Sequence, residues 1–417
     1  MRQTILDQPL VHFGRELCDD LAAGMRREWL VTNGLGGYAS GTLAGPNTRR
    51  YHGLLVAALN PPVERTVLVG GAVEWASYDG RRYPLSAHEY AGGTVDPHGY
   101  RHVQSFALEG ALPVWTFALA DALLERRVWM AYGANTTYVR YRLLRGTRPV
   151  ELEITPLVTY RDFHALSSGA GWRPAVEPQP RQATIRAFDG ARPLRLLADG
   201  GAFAPGGDWY YNFSHREEAA RGLDDRSDLF APGAFKARLE PGAALTLVLT
   251  AEDGADMDGA RALDAARARQ NELLRRAAAE QSDPAVQQLV LAADQFIVAR
   301  GETGDWRLEA SGNGQAPSPK PQAPSLGKTV IAGYHWFADW GRDTMIALPG
   351  LTLATGRPED AAGILHTFAR YVAGGLLPNN FPDHAGVIPG YNTVDATLWY
   401  AHAIRAYARA TGDAALV

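Results

Sequence analysis

The hydrophobic period of the chain changes once, near residue 250, and this limits the fold to a β unit followed by an α unit. Before the change, short apolar or alternating runs recur with Gly, Pro, Asn and Asp between them: GLLVAAL at 53–59, RTVLVGGAVEW at 65–75, VWTFAL at 114–119, TTYVRYRLL at 136–144, VELEITPLVTY at 150–160 and ALTLVLTAE at 244–252. In one of them Val139, Tyr141 and Leu143 alternate with Arg140 and Arg142, the pattern of a half-buried antiparallel strand. Many strands without intervening helices predict a large antiparallel β-sandwich over 1–254; the pattern weakens at 161–182 and 202–234, where long loops or irregular strands are expected.

After the change the periodicity is helical. Residues 255–282 are rich in Ala, Arg and Leu and read as a linker helix. Ser282 or Asp283 then caps a helix that Pro284 opens and that runs to Arg300. The Gly-, Pro- and Ser-rich stretch 301–328 reads as an exposed insertion. Three further helices are expected: Asp343 to Ala354, one opened by Pro358 and stopped at Gly374-Gly375, and one opened by Asn392 or Thr393 and ending before Gly412. The second domain is placed at 283–417.

Composition narrows the function classes. A net charge of −4 over 417 residues gives no bulk attraction to nucleic acid or anionic lipid. The single cysteine, Cys18, excludes an internal disulfide and suits a reducing compartment. The first residues lack a basic segment followed by an apolar one, and no apolar run reaches membrane-spanning length. A cytoplasmic location is expected. Neither a CxxC nor an HExxH pattern is present, so no metal and no cofactor is expected.

Chemistry concentrates at 333–350, GYHWFADWGRDTMIALPG. Trp336, Phe337 and Trp340 offer flat apolar faces, with Asp339, Arg342 and Asp343 among them. Aromatic faces beside a carboxylate and an Arg fork suit a sugar ring, whose C–H faces stack while its hydroxyls bond to the charges. Residues 391–400, YNTVDATLWY, repeat the arrangement: Asp395 falls in a first helical turn and Trp399 follows four residues later. Each feature has a plainer reading. Asp395 can serve the helix dipole alone, the tryptophans can be core, His335 can satisfy a backbone carbonyl, and Asn379 and Asp383 can be turn residues of PNNFPD.

GYHWFADWGRDTMIALPGLTLATGR at 333–357, GGLLPNNFPD at 374–383, YNTVDATLWY, and EWLVTNGLGGYASGTLAGPNTRRYHGLLVAAL at 28–59 together resemble the bacterial and archaeal glycogen debranching family of amylo-α-1,6-glucosidases. The resemblance implies an (α/α)6 toroid of glucoamylase-like type as the second domain. Six helix pairs are needed and about two are present, so the chain is expected to be the N-terminal part of a longer protein. The apolar faces at 343–354 and 392–410 would then be left exposed.

The resemblance also implies a glycoside hydrolase acting on glycogen or a similar branched α-glucan, inverting, with Asp395 as general acid. Such an acid needs an apolar neighbour to keep it protonated, which Trp399 would supply. The W-x-R-D-T segment is similar to W-x-R-D-S in glucoamylases, which assigns Arg342 and Asp343 to holding hydroxyls of the released glucose. The reverse assignment, Asp343 as acid and Asp395 as binder, stays open. Trp336, Trp340, Trp399, His335, Asn392, Asn379 and Asp383 are the further substrate-binding candidates. Arg49 and His52, in the Gly-rich N-terminal block, are expected at branch-side subsites. An inverting enzyme needs a second carboxylate roughly 6.5–9.5 Å from the first. Neither Asp339 nor Asp383 matches the family's base, which is expected beyond Val417. Two alternatives remain: another exo-acting toroid glycosidase, of α-1,4-glucosidase or trehalase-like type, and a non-catalytic glucan-binding fragment.

Overall fold

The computed structural model describes residues 9–301, 327–381, 390–413 and 415. The chain divides into two compact units: one gathers the chain up to Leu59 with Arg65–Gln295, the other Asn60–Glu64 with the chain from Phe296 on.

Two antiparallel sheets make the first unit. Among the described residues, one has nine strands in the order His12–Phe13, Val103–Glu109, Leu112–Leu119, Ala122–Met130, Thr136–Arg145, Ala244–Thr250, Leu194–Ala198, Gln182–Arg186 and Ala175–Gln179. The other runs from an edge strand, Ala202–Ser214, through Arg226–Leu239, Val150–Asp162, Val63–Tyr78, Gly53–Asn60 and Tyr38–Thr42 to Glu28–Thr32, with Arg81–Pro84 paired to Val63–Tyr78. The sheets share one core. Trp29 of one meets Trp115 of the other edge-to-face, with centroids 5.5 Å apart. The expected alternation holds: Val139, Tyr141 and Leu143 are buried while Arg142 faces out.

Tyr138, on the opposite side of the same strand, is buried as well. It stacks on Trp129 and packs with Leu263 of the helix Gly259–Arg276, which covers that part of the sheet. Asp258 caps this helix by accepting from the amides of Ala260 and Arg261. Gly259 is needed at the first turn, since a Cβ there would lie 2.1 Å from Thr246 Oγ1. A second helix, Pro284–Asp294, is capped by Asp283 as expected and packs its Val290 and Leu291 against Leu273 and Leu274.

One open expectation is decided and two are corrected. The stretch 202–234, expected as long loops or irregular strands, holds irregular strands: Ala202–Ser214 and most of Arg226–Leu239 pair with two register shifts. Its Gly and Pro residues hid the period, but Pro205 faces Gly233 at a register shift, where a bulge tolerates both. The helix from Pro284 does not reach Arg300: Ile297–Arg300 is a strand paired with Gly327–Val330. A four-residue apolar run does not declare its type by periodicity, and here β-branched Ile297 and Val298 favour the strand. Asn392 and Thr393 do not cap the last helix. It runs from Asp395 to Thr411 with Val394 at the N-cap position and Gly412 left-handed after it.

In the second unit the helices Gly341–Leu348, Pro358–Ala369 and Asp395–Thr411 share a core of Met345, Leu348, Ile364, Leu365, Phe368, Ala396, Ala403 and Tyr407. The single helix expected over 343–354 is split: an α-helical part ends at Leu348 and a π-helical turn follows over Pro349–Leu353, closed by the Ala354 amide on the Pro349 carbonyl. The other sides of these helices are open, with Ile346 48% and Leu398 67% exposed. No helix among the described residues is long and apolar enough to cross a membrane.

Candidate active site

The two chemistry-bearing stretches meet at two helix starts of the second unit. One is prepared by the strand-like segment 377–381. Gly341 donates to the Asn379 carbonyl at 2.7 Å, and Trp340 bridges to Asn380. Gly341 tolerates this approach only as glycine, because a Cβ would sit 2.2 Å from the Pro378 carbonyl oxygen. The Thr344 amide then donates to the Trp340 carbonyl and the helix begins, with Asp343 in its first turn. The same segment holds the other helix: the Leu377 amide donates to Thr397 Oγ1 at 2.9 Å.

This brings Arg342 and Asp395, 53 positions apart in sequence, into a 3.0 Å hydrogen bond. The Asp395 hydrogen bond raises the Arg342 guanidinium above its ordinary value, and the charges of Asp395 and Asp343 add to it. Both side chains of the pair are over two-fifths exposed, so ligand can reach them. Asp395 therefore sits at a polar, partly open position beside an arginine, rather than in the apolar enclosure expected from Trp399.

The stretch 333–350 also contributes to a buried pair. Arg300, at the end of the strand Ile297–Arg300, bonds to Asp339, and its guanidinium lies 4.1 Å from the centroid of Phe381. Asp339 is fully buried, and its backbone bridges to Ile331. This carboxylate anchors the loop and is not presented to solvent. Arg300 was not legible as a site residue, since it ends a run that reads as helix and lies 39 positions from its partner.

The aromatic candidates form a connected group in part. Phe337 contacts Trp336 at 5.7 Å and Trp340 at 6.0 Å between centroids. Trp399 is 37% exposed and contacts His402. His335 and Asn379 are buried, and Asn392 is exposed. Asp383 lies outside the described residues.

In the first unit, Arg49 and His52 converge on Glu28, at 2.6 and 3.3 Å. Burial pushes the Glu28 carboxyl up, but His52 and Arg49 together outweigh it and hold it at about 2. Arg50, beside them, takes Glu218 as acceptor for its amide at 3.0 Å. Neither glutamate stood out in sequence, since Glu28 lies on an ordinary strand and Glu218 on the short helix Arg216–Ala219, each far from its partners.

Two family models match the chain in order: "Glycogen debranching enzyme N terminal" over residues 27–246 and "Amylo-alpha-1,6-glucosidase" over residues 291–417. A stretch of 68 residues is 40% identical to the glycogen debranching enzyme of Saccharomyces cerevisiae, covering 16% of this chain and 4% of that protein. Among solved structures, a bacterial glucoamylase complexed with acarbose aligns over 95% of this chain and 56% of its own, at 9% identity and a TM-score of 0.42. A putative kojibiose phosphorylase from human microbiome aligns over 91% and 53%, at 10% identity and a TM-score of 0.40. The chain thus spans about half the length of these two solved chains, and neither distant likeness bears on its activity. With one model covering the sandwich and the other the helical unit, the chain belongs to the glycogen debranching enzyme family.

Proposed function

We propose that the chain carries the glucosidase site of an amylo-α-1,6-glucosidase, which releases glucose from single α-1,6-linked stubs on a glycogen-type glucan by inverting hydrolysis. The observation that carries this reading is the junction of Arg342, Asp343 and Asp395 at two helix starts, within the region matched by the amylo-α-1,6-glucosidase model. The helical unit is read as part of an (α/α)6 toroid, and the location as cytoplasmic.

In this reading Asp395 is the general acid and protonates the leaving glycosidic oxygen. Arg342 and Asp343 hold hydroxyls of the terminal glucose. The free site keeps Arg342 on Asp395, so substrate must draw Arg342 away: the sugar hydroxyl replaces the carboxylate as its partner, and Asp395 is released to take a proton. Trp336, Trp340 and Trp399 provide stacking faces; His335, Asn379, Asn392 and Asp383 are further substrate-binding candidates; Arg49 and His52, which share Glu28, are assigned to branch-side subsites.

One observation favours the second reading, glucan binding without turnover. Of the carboxylates weighed as base, Asp339 is committed to Arg300 in the interior and does not reach a water on the open side. Glucose release measured on a limit dextrin with α-1,6 glucosyl stubs, on maltose and on trehalose separates the readings. Where a second carboxylate completes the pair, release is expected from the dextrin alone; dextrin binding without release favours the second reading. Release from maltose or trehalose at an equal rate would transfer the chain to another exo-acting glycosidase class.

A further inference from the structure

An aromatic group on the first unit takes no part in this site. Trp209 and Tyr211 lie two residues apart on Ala202–Ser214, the edge strand of the eight-stranded sheet. Their rings are within 23° of parallel, with centroids 6.2 Å apart. Trp209 rests inward on Phe230, while Tyr211 is 54% exposed. Trp172 meets Trp209 edge-to-face at 5.8 Å, and its indole N–H is taken by the Ala187 carbonyl.

The rings are held in place by a built loop. Gly169 lies against both, and a Cβ there would come within 2.9 Å of Trp209 and 3.0 Å of Tyr211. Asp228 fixes the arrangement, accepting from the amides of Gly169 and Asn212, each at 2.9 Å, while its own carbonyl takes the Ser167 hydroxyl. Exposed polar residues beside these segments in sequence are Ser168, Arg173, Asp208 and Asn212, with one cation and one anion among them. With one cation and one anion among those neighbours, a pre-ordered pair of near-parallel rings on a strand edge suits a neutral polyhydroxylated ligand. Pyranose C–H faces stack on the rings while the rim bonds to hydroxyls.

We infer that the Trp209–Tyr211 edge is a second glucan-binding surface, carried by the first unit alone, that holds an α-glucan chain without cleaving it. It rests on the reading of the chain as a glucan-acting protein and adds a contact to the polymer that a small substrate does not use. A polymer tethered there raises the local concentration of its branch ends for the same molecule.

The test is affinity electrophoresis of the full chain in native gels with and without dissolved glycogen, for the wild type, Tyr211→Ala and Tyr211→Phe. Glucose release from a small branched oligosaccharide is measured in parallel. The wild type and Tyr211→Phe are expected to be retarded alike, with the dissociation constant for glycogen raised roughly threefold to tenfold in Tyr211→Ala. Hydrolysis of the small substrate is expected to be equal in all three. Equal retardation of Tyr211→Ala and wild type overturns the inference, as does a wild type that is not retarded. A Tyr211-dependent dimer in sedimentation, with unchanged retardation, would assign the edge to a second copy of the chain and also overturn it. Retention of glycogen without any glucose release leaves this surface standing and counts against the hydrolytic reading alone.

Discussion

Arg342 and Arg300 each hold an aspartate, yet exposure makes them do different work. The Arg342–Asp395 pair is over two-fifths exposed on both sides, and such solvent-screened pairs contribute little to stability. Arg342→Ala should therefore leave the melting temperature nearly unchanged while raising KM for a branched dextrin roughly tenfold to a hundredfold, the range for a lost bond to a charged group. Arg300 and Asp339 are both buried, and removing one strands the other's charge in the interior. Arg300→Met should cost about 3–5 kcal/mol in urea unfolding, and the pairing of Arg300→Met with Asp339→Leu should recover most of it. If the double variant is no more stable than the single one, the pair is not what makes Arg300 matter. The sequence was legible here to the extent that residue types announce chemistry. Asp395, Arg342 and Asp343 stood out by their aromatic setting, whereas Arg300, Glu28 and Glu218 depend on partners that only the fold brings near.

Elements were legible where local chemistry marks their ends. Asp283 with Pro284, and Gly412 after the last helix, are start and stop signals that the backbone obeys. The signals failed where two outcomes share one pattern. Ile297–Arg300 is too short to show a period, and Pro349 inside an apolar helical pattern shifts the backbone into a π turn rather than ending it. Within the second unit, burial ranks the helical positions. Phe368 is fully buried and packs edge-to-face on Phe381 at 5.0 Å. Phe368→Ala should lose about 3–5 kcal/mol by chemical denaturation. Leu398→Ala, at a position 67% exposed, should change stability by no more than about 0.5 kcal/mol. A large loss at Leu398 would mean that this open helix face is covered in solution.

At the scale of the molecule, the β-then-α order was readable because a period of two and a period of 3.6 leave different traces. How helices pair into a ring leaves no such trace, and the toroid rests on resemblance. The sandwich interior makes its own prediction about pH. Burial pushes the imidazole of His88 down to about 4 and that of His215 to about 3, in the latter case with Arg161 adding to the effect. In the unfolded chain each takes up its proton near the ordinary value of 6.5. Between these limits the unfolded state binds more protons, so stability of the first unit is full above pH 6.5 and falls as pH drops toward 4. The slope is roughly 1.4 kcal/mol per pH unit for each histidine. Urea midpoints at pH 7.5, 6.0 and 5.0 should decline in that order, and a midpoint that rises on acidification would show that the histidines are charged in the fold. The proposed hydrolysis depends most on Asp395. Glucose release from a dextrin carrying single α-1,6 glucosyl stubs should be measured for the wild type beside Asp395→Asn. The substitution should lower release roughly a hundredfold to ten-thousandfold, the usual contribution of a general acid; release that survives it unchanged would refute the role given to Asp395.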